Sequence, residues 1–272
     1  MQQVKSYYEK EAAEYNKEFY EKESKYPILK YRHNYMLKRI KEYGFPEDAK
    51  VLDIGCGPGE MVLDLRKHNW EIWGIDIAQT MIDIAKEKVE SRNDKPNQVH
   101  LSTGDIENLA FPDNFFDLII CSGVIEYLDN DTAWAEQITR VIKPGGILLI
   151  NITNKYSIKN RTAGLVEKLK RNKTFFSVMD FIKQKILRKG KLHYFPFQPR
   201  LHSPQAFDAF LVSKGFEKLS HNYFSFSVLP APFDTVLGFI TIPIRKYMEK
   251  YTEKNKTLTG NGYIVCARLK NK

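Results

Sequence analysis

Cysteine is scarce in this 272-residue chain: Cys56, Cys121 and Cys266 are the only three, far apart and odd in number. That excludes a disulfide framework, and no paired spacing offers a zinc or iron–sulfur site. No apolar stretch follows a basic one in Met1-Gln2-Gln3-Val4-Lys5-Ser6-Tyr7-Tyr8-Glu9, so a signal peptide is not expected there and the expected compartment is the cytoplasm. A spanning helix is missing as well. The most apolar region, Phe224 to Tyr251, contains Asp234 and the prolines Pro230, Pro232 and Pro243. What the chain has in quantity is core-forming material. Hydrophobic residues make up 43% and aromatics 13%, which excludes disorder as the main state.

Positive charge is unevenly spread. The formal net charge is +9, yet Lys155–Arg200 alone holds 13 Lys/Arg against Glu167 and Asp180, a net +11, leaving −2 for the other 226 residues. Phe175, Phe176, Phe181, Ile182, Ile186, Leu187, Tyr194, Phe195 and Phe197 interleave with those cations. Such a segment suits an anionic, partly apolar surface, or a solvated helical pair whose aromatics pack on the main domain.

From Lys50 to Thr153, short apolar runs alternate with helical periodicity. Strands are expected at Val51–Ile54, Glu71–Ile75, Val99–Leu101, Asp117–Cys121 and Ile147–Ile152, with helices at Glu60–His68, Ala78–Val89 and Thr132–Val141. The turn Lys143-Pro144-Gly145-Gly146 is expected to end the third helix. Apolar strands separated by helices imply parallel strands covered on both faces, a doubly wound α/β sheet with ligands at the carboxyl ends of its strands. A further helix is expected over Gln205–Lys214 and a last strand over Gly262–Ala267.

The first strand runs into Gly55-Cys56-Gly57-Pro58-Gly59-Glu60, where glycine lets the backbone turn sharply and approach a ligand. Asp53 lies within that strand end. Asp76 ends the second strand, where a carboxylate can accept both hydroxyls of a ribose, and Asp105 follows the third, where it can accept from the amine of adenine. A dinucleotide fingerprint would place its third glycine at position 60, but Glu60 stands there, and an anion at the helix start would repel a pyrophosphate.

Val51-Leu52-Asp53-Ile54-Gly55-Cys56-Gly57-Pro58-Gly59 resembles the signature of class I S-adenosylmethionine-dependent methyltransferases. Gly104-Asp105-Ile106-Glu107-Asn108-Leu109-Ala110-Phe111-Pro112 with Phe115-Phe116-Asp117 resembles that family's second and fourth motifs, and Ile142-Lys143-Pro144-Gly145-Gly146 its approach to the fifth strand. The N-terminal Tyr7 to Asn16 is similar to the small-molecule branch, the ubiquinone and menaquinone type, whose leading helix covers the cofactor.

The resemblance implies a Rossmann-like, mostly parallel seven-stranded sheet with S-adenosylmethionine as cofactor. It implies a helical lid over residues 1–46, a cofactor-binding core over 47–154, a basic helical insertion on the acceptor side over 155–202, and completion of the sheet over 203–272 with the apolar segment at 224–251. Gly55 and Gly57 would border the methionine moiety, Asp76 would hold the ribose hydroxyls, and Asp53 and Cys56 also belong to the cofactor-binding set. Ile77 would pack on adenine, Asp105 would take its amine with Ile106 supplying a neighbouring N–H, and Met81 and Gly104 also belong to the cofactor-binding set. Ser122 would lie near the transferring methyl, and Tyr15 would be a lid contact or plain packing.

The sulfonium is already electrophilic, so alignment and water exclusion matter more than an unusual catalytic group. Glu126, His193 and His202 are the candidate bases, with Tyr127 beside them. Many relatives carry Glu-His where this chain has Glu126-Tyr127, which argues against simple histidine-assisted O-methylation from that position. The fourth strand is not followed by Asn/Asp-Pro-Pro-aromatic, and Ile120 rather than Pro precedes Cys121, so adenine N6 and cytosine C5 are poor acceptors.

No metal set is expected. The basic-aromatic and apolar segments together point to a hydrophobic or amphiphilic acceptor, such as a quinone precursor, lipid or lipid-linked sugar, met at an anionic membrane surface. A soluble metabolite is the alternative, and RNA the weaker one.

Overall fold

The computed structural model describes residues 2–16, 28–92, 98–164, 181, 198–230, 233–252 and 260–271. Two compact units emerge. The first comprises Met1–Ile152, Gln205–His221 and Ile264–Lys272, and the second Thr153–Pro204 and Asn222–Tyr263. The basic segment and the apolar segment therefore fall within one unit, and the rest of the chain forms the other.

In order, the described elements begin with α1 (Gln2–Asn16), α2 (Ile28–Tyr43), β1 (Lys50–Ile54), α3 (Glu60–Leu65), β2 (Glu71–Asp76) and α4 (Gln79–Glu90). Next come β3 (Val99–Thr103), β4 (Phe116–Cys121), α5 (Thr132–Val141), β5 (Ile142–Thr153) and α6 (Ile158–Arg161). The chain closes with α7 (Pro204–Ser213), β6 (Phe216–Phe224), α8 (Phe233–Val236), α9 (Gly238–Thr252) and β7 (Gly262–Leu269). The sheet runs β3-β2-β1-β4-β5-β7-β6, and the β1–β2, β1–β4, β2–β3 and β4–β5 pairs are parallel. Strand order reverses at β1, so the crevice beyond β1 and β4 is the topological switch point.

Burial explains why these residues form these elements. Leu52, Leu118, Ile119, Ile120, Leu148, Leu149 and Ile150 are fully buried, as central strands covered on both faces require. Each such side chain contributes roughly 1.5–3 kcal/mol. α4 and α5 bury one stripe each, Met81, Ile82, Ala85 and Val89 in α4 and Trp134, Ala135, Ile138 and Val141 in α5, while the short α3 buries Met61, Val62, Leu63 and Leu65. Trp134 stacks on Phe207 of α7, ring centroids 6.2 Å apart.

Three local expectations change. Lys143–Gly146 does not end α5 ahead of a separate strand. β5 starts at Ile142, paired with Phe116, and the register then jumps so that Leu118 faces Ile147. The Lys-Pro-Gly-Gly run is thus an irregularity within one strand pair, held by Lys143 Nζ on Asp117 at 2.8 Å. β6 carries no sequence assignment of its own because it ends the sheet. Glu217, Lys218, Ser220 and His221 interrupt its apolar pattern. The Phe224–Tyr251 region is largely helical rather than irregular, with Pro243 inside α9.

Candidate active site

The loop after β1 is pinned to β2: the Gly55 and Cys56 N–H groups both donate to the Ile75 carbonyl, at 2.8 and 3.0 Å. Gly55 has φ +71°, and a Cβ there would lie 2.3 Å from Val124 Cγ2. No other residue fits that position without displacing the segment after β4. At the end of β2, Asp76 Oδ2 accepts from the Gly57 N–H at 3.0 Å and Oδ1 from the Ala78 N–H at 2.9 Å. Each oxygen keeps a lone pair for a further donor, which is what two vicinal hydroxyls supply. Burial raises the Asp76 pKa, opposed by the N–H groups it accepts.

Asp53, Gly55, Cys56 and Ser122 line one small pocket together with Arg32, His33 and Glu60. Asp53 is buried, and its Oδ2 has no hydrogen-bond partner. Burial first, and then repulsion from Asp76, push its carboxyl up to about 7 against the pull of Arg32. An orphaned carboxylate oxygen beside a guanidinium is the donor–acceptor pair that an amino acid's ammonium and carboxylate require. The pocket's volume is only about 40 Å³, with the Arg32 Nη1 3.0 Å from where a Gly123 Cβ would sit.

A larger cleft of about 480 Å³ lies at the ends of β2 and β3, lined by Ile77, Thr103, Gly104 and Asp105 together with Gln2 and Lys5 of α1. Asp105 Oδ1 accepts from the Glu107 N–H at 2.9 Å, which fixes the turn over buried Ile106. The cleft's donors and acceptors sit beside the apolar Ile77, the environment an adenine ring fits. Asp53, Asp76 and Asp105 thus stand at or just past the carboxyl ends of β1, β2 and β3.

Helix α1 is fastened over this region by a cap from far along the chain. The N-cap of α4 is Ala78, which has no side chain to satisfy the first N–H groups. Glu9 does so instead, with Oε1 accepting from the Gln79 N–H at 2.8 Å and Oε2 from the Thr80 N–H at 3.1 Å and its hydroxyl at 2.8 Å. Burial opposes, but those bonds outweigh it and lower the Glu9 pKa. Tyr15 and Met81 pack in the apolar cluster with Ala12 and Ala78. Lys88 ties α4 to Glu60 of α3 at 2.5 Å and to Asn16 of α1 at 2.7 Å.

Glu126 and Tyr127 occupy a short 3₁₀ turn, Ile125–Tyr127, beyond β4. The Tyr127 hydroxyl is hydrogen-bonded to that of Tyr8 on α1, and burial together with Glu126 raises its pKa. Tyr127 therefore stays protonated at neutral pH. His202 belongs to the second unit, where its N–H donates to the Thr153 carbonyl at 2.9 Å and its carbonyl accepts from Lys155 at 2.9 Å. His193 and most of the 155–202 segment lie outside the described residues. Burial drives the Cys56 and Cys121 thiols well above their ordinary range, so neither is a nucleophile. Among the described residues, no group of three His, Cys, Asp or Glu side chains could hold a metal ion.

Sequence reasoning missed Arg32 and the capping role of Glu9. An arginine in a helix preceding β1 carries no motif. The capping role had one readable signal, the lack of a capping residue before α4.

Residues 52–150 match the family described as a methyltransferase domain. A ubiquinone biosynthesis O-methyltransferase of Rickettsia bellii is 32% identical over 125 residues, 46% of this chain and 50% of that protein. A demethylmenaquinone methyltransferase of Staphylococcus saprophyticus is 30% identical over 122 residues, 43% of this chain and 51% of that protein. The chain thus spans about half the length of the curated relatives it matches. A solved S-adenosylmethionine-dependent methyltransferase structure from Methanosarcina mazei superposes with a TM-score of 0.56 at 18% identity, over 86% of this chain and 98% of that one. Residues 52–150 thus match a methyltransferase domain, and the seven-stranded core that holds the glycine loop, Asp53, Asp76 and Asp105 has the fold of solved S-adenosylmethionine-dependent methyltransferases.

Proposed function

We propose that this chain transfers a methyl group from S-adenosylmethionine to a small hydrophobic or amphiphilic acceptor, such as a quinone precursor, a lipid or a lipid-linked sugar. The observation that carries the cofactor half is the row Asp53, Asp76 and Asp105 at the carboxyl ends of three consecutive strands, with Arg32 facing the first. In this reading Asp53 and Arg32 hold the ammonium and carboxylate, Asp76 the ribose hydroxyls, and Ile77 with Asp105 the adenine. When bound, S-adenosylmethionine supplies an electrophilic methyl that passes directly to an acceptor lone pair as the methyl–sulfur bond breaks. The chain's own part is alignment and exclusion of water: α1, clasped by Glu9, closes the adenine side. Tyr127 orients rather than deprotonates, and Glu126 is the buried carboxylate placed to receive an acceptor proton.

The acceptor half rests on the names of the two quinone-pathway relatives and on the apolar, basic character of the second unit. The same reading places the chain in the cytoplasm, working at the membrane surface. No helix among the described residues is long and apolar enough to cross a bilayer. The test supplies S-adenosylmethionine with a labelled methyl, together with a host-cell extract, and separates organic, aqueous, nucleic-acid and protein fractions. Label in the organic fraction supports the proposal. Label confined to aqueous metabolites or RNA replaces the acceptor class, and no transfer anywhere removes the activity.

A further inference from the structure

Helix α9 is inside out. Its polar groups recur at Thr241, Arg245, Glu249 and Thr252, one stripe at helical spacing, and these turn inward. The Thr241 hydroxyl donates to the Asp234 carbonyl at 2.8 Å, and Arg245 Nη2 donates to the same oxygen at 2.7 Å while pairing with the Asp234 carboxylate. Asp234 Oδ1 also accepts from the Val228 and Leu229 N–H groups, at 3.1 and 3.2 Å, and Glu249 accepts from the Ser225 N–H at 3.2 Å. The opposite stripe is Phe239, Ile240, Pro243, Ile244, Tyr247 and Tyr251, all exposed. Phe239 is 75%, Tyr247 65% and Ile240 50% accessible. A surface helix in water has the reverse arrangement. Here a buried hydrogen-bonded ion pair fixes the rotation that presents the apolar face.

We propose that this face of α9 docks the chain on an anionic lipid bilayer, lying in the headgroup–acyl boundary. Three observations select a bilayer over a second copy of the chain. A 15-residue helix is about 22 Å long, so a stripe about 10 Å wide covers about 220 Å², well short of the roughly 800 Å² per partner that a stable dimer buries. Lys246 and Lys250 lie on the exposed side of the helix next to Phe239 and Pro243, where the cations of an interfacial helix sit. The second unit as a whole has 18 Lys/Arg against five Asp/Glu, a net +13 in a chain of net +9, which complements an anionic surface. Pro243 leaves the Phe239 carbonyl without its helical donor, which water and headgroups satisfy and a hydrocarbon interior does not.

The inference deepens the reading of an amphiphilic acceptor, but its readout is separate. Purified chain is sedimented with vesicles of equal phosphatidylglycerol and phosphatidylcholine, without acceptor or S-adenosylmethionine. The wild type is expected to partition at least tenfold more strongly than the double variant Phe239→Ser/Tyr247→Ser. Lys246→Gln/Lys250→Gln should lose about tenfold, with the loss shrinking at high salt. Both pairs are exposed, so the far-ultraviolet dichroism spectrum should be unchanged and shows that each variant is folded. Equal partition of wild type and Phe239→Ser/Tyr247→Ser overturns the proposal. So does light scattering that finds a wild-type dimer which this variant converts to monomer, because the face is then an interface between copies. Methyl transfer to extract dispersed in detergent reports the acceptor reading independently. Its failure beside intact vesicle binding, or the reverse, tells the two apart.

Discussion

Two helices of the same chain, α4 and α9, follow opposite rules. α4 buries Met81, Ile82, Ala85 and Val89, as a helix on a sheet should. α9 buries Gly238, Thr241 and Thr252 and leaves its aromatics outside. The charge follows the same division: net +13 in the second unit leaves −4 in the first, where the cofactor site lies. The first unit rests on non-directional apolar burial, whereas the second, which also buries Phe224, Phe226 and Tyr263, holds α9 through a few directional polar contacts. The first can therefore tolerate substitutions that preserve volume, whereas the second depends on single residues such as Asp234.

The largest expected effect breaks that dependence. Arg245→Ala strands the Asp234 carboxylate, at a cost of about 3–5 kcal/mol. Hydrogen exchange should show lost protection over 222–252 while β1 and β4 keep theirs; equal loss in both would erase the contrast between the units. Next, Asp76→Ala should weaken S-adenosylmethionine binding at least 100-fold, since each charge-assisted hydrogen bond is worth roughly 1.5–3 kcal/mol. Affinity within a few-fold of wild type would sink the ribose assignment.

Arg32→Ala should cost about tenfold with S-adenosylmethionine and nothing with 5′-methylthioadenosine, which lacks the amino-acid tail. Equal losses with both ligands would make Arg32 a structural residue.

Asp53 sharpens the comparison through pH. Its folded pKa is raised to about 7, above the ordinary aspartate value, so between roughly pH 4 and 7 the folded state holds a proton the unfolded state has released. Stability without cofactor therefore falls as pH rises through that window. Affinity for the cofactor's ammonium rises across the same window, as the carboxylate forms. Asp53→Asn should flatten both profiles in melting and titration series. The smallest effect belongs to Glu9→Gln, which keeps the shape of the α4 cap but removes its charge. About threefold weaker cofactor binding, visible by calorimetry, is expected.

The legibility of the sequence follows the same division. The core was readable because parallel strands are uninterrupted apolar runs, as at Leu118-Ile119-Ile120, and because the loop at Gly55 has a steric requirement that only glycine meets. Asp53 and Asp76 at the ends of β1 and β2, and Asp105 just past β3, were readable from those places. Arg32 and the cap by Glu9 were not, because each acts across a long stretch of chain on a partner that only folding brings near. α9 received no helix assignment from the sequence because its three nearby prolines and Asp234 are helix-breaking signals on their own. Pro243 is tolerated on an exposed face, and Asp234 is neutralised by Arg245.

Calorimetric titration of the purified wild-type chain with S-adenosylmethionine at pH 8 tests the central claim most directly. The account predicts saturable binding of one molecule per chain, competed by S-adenosylhomocysteine. Absence of saturable heat under those conditions would contradict it, because the three stations at Asp53, Asp76 and Asp105 would then hold nothing.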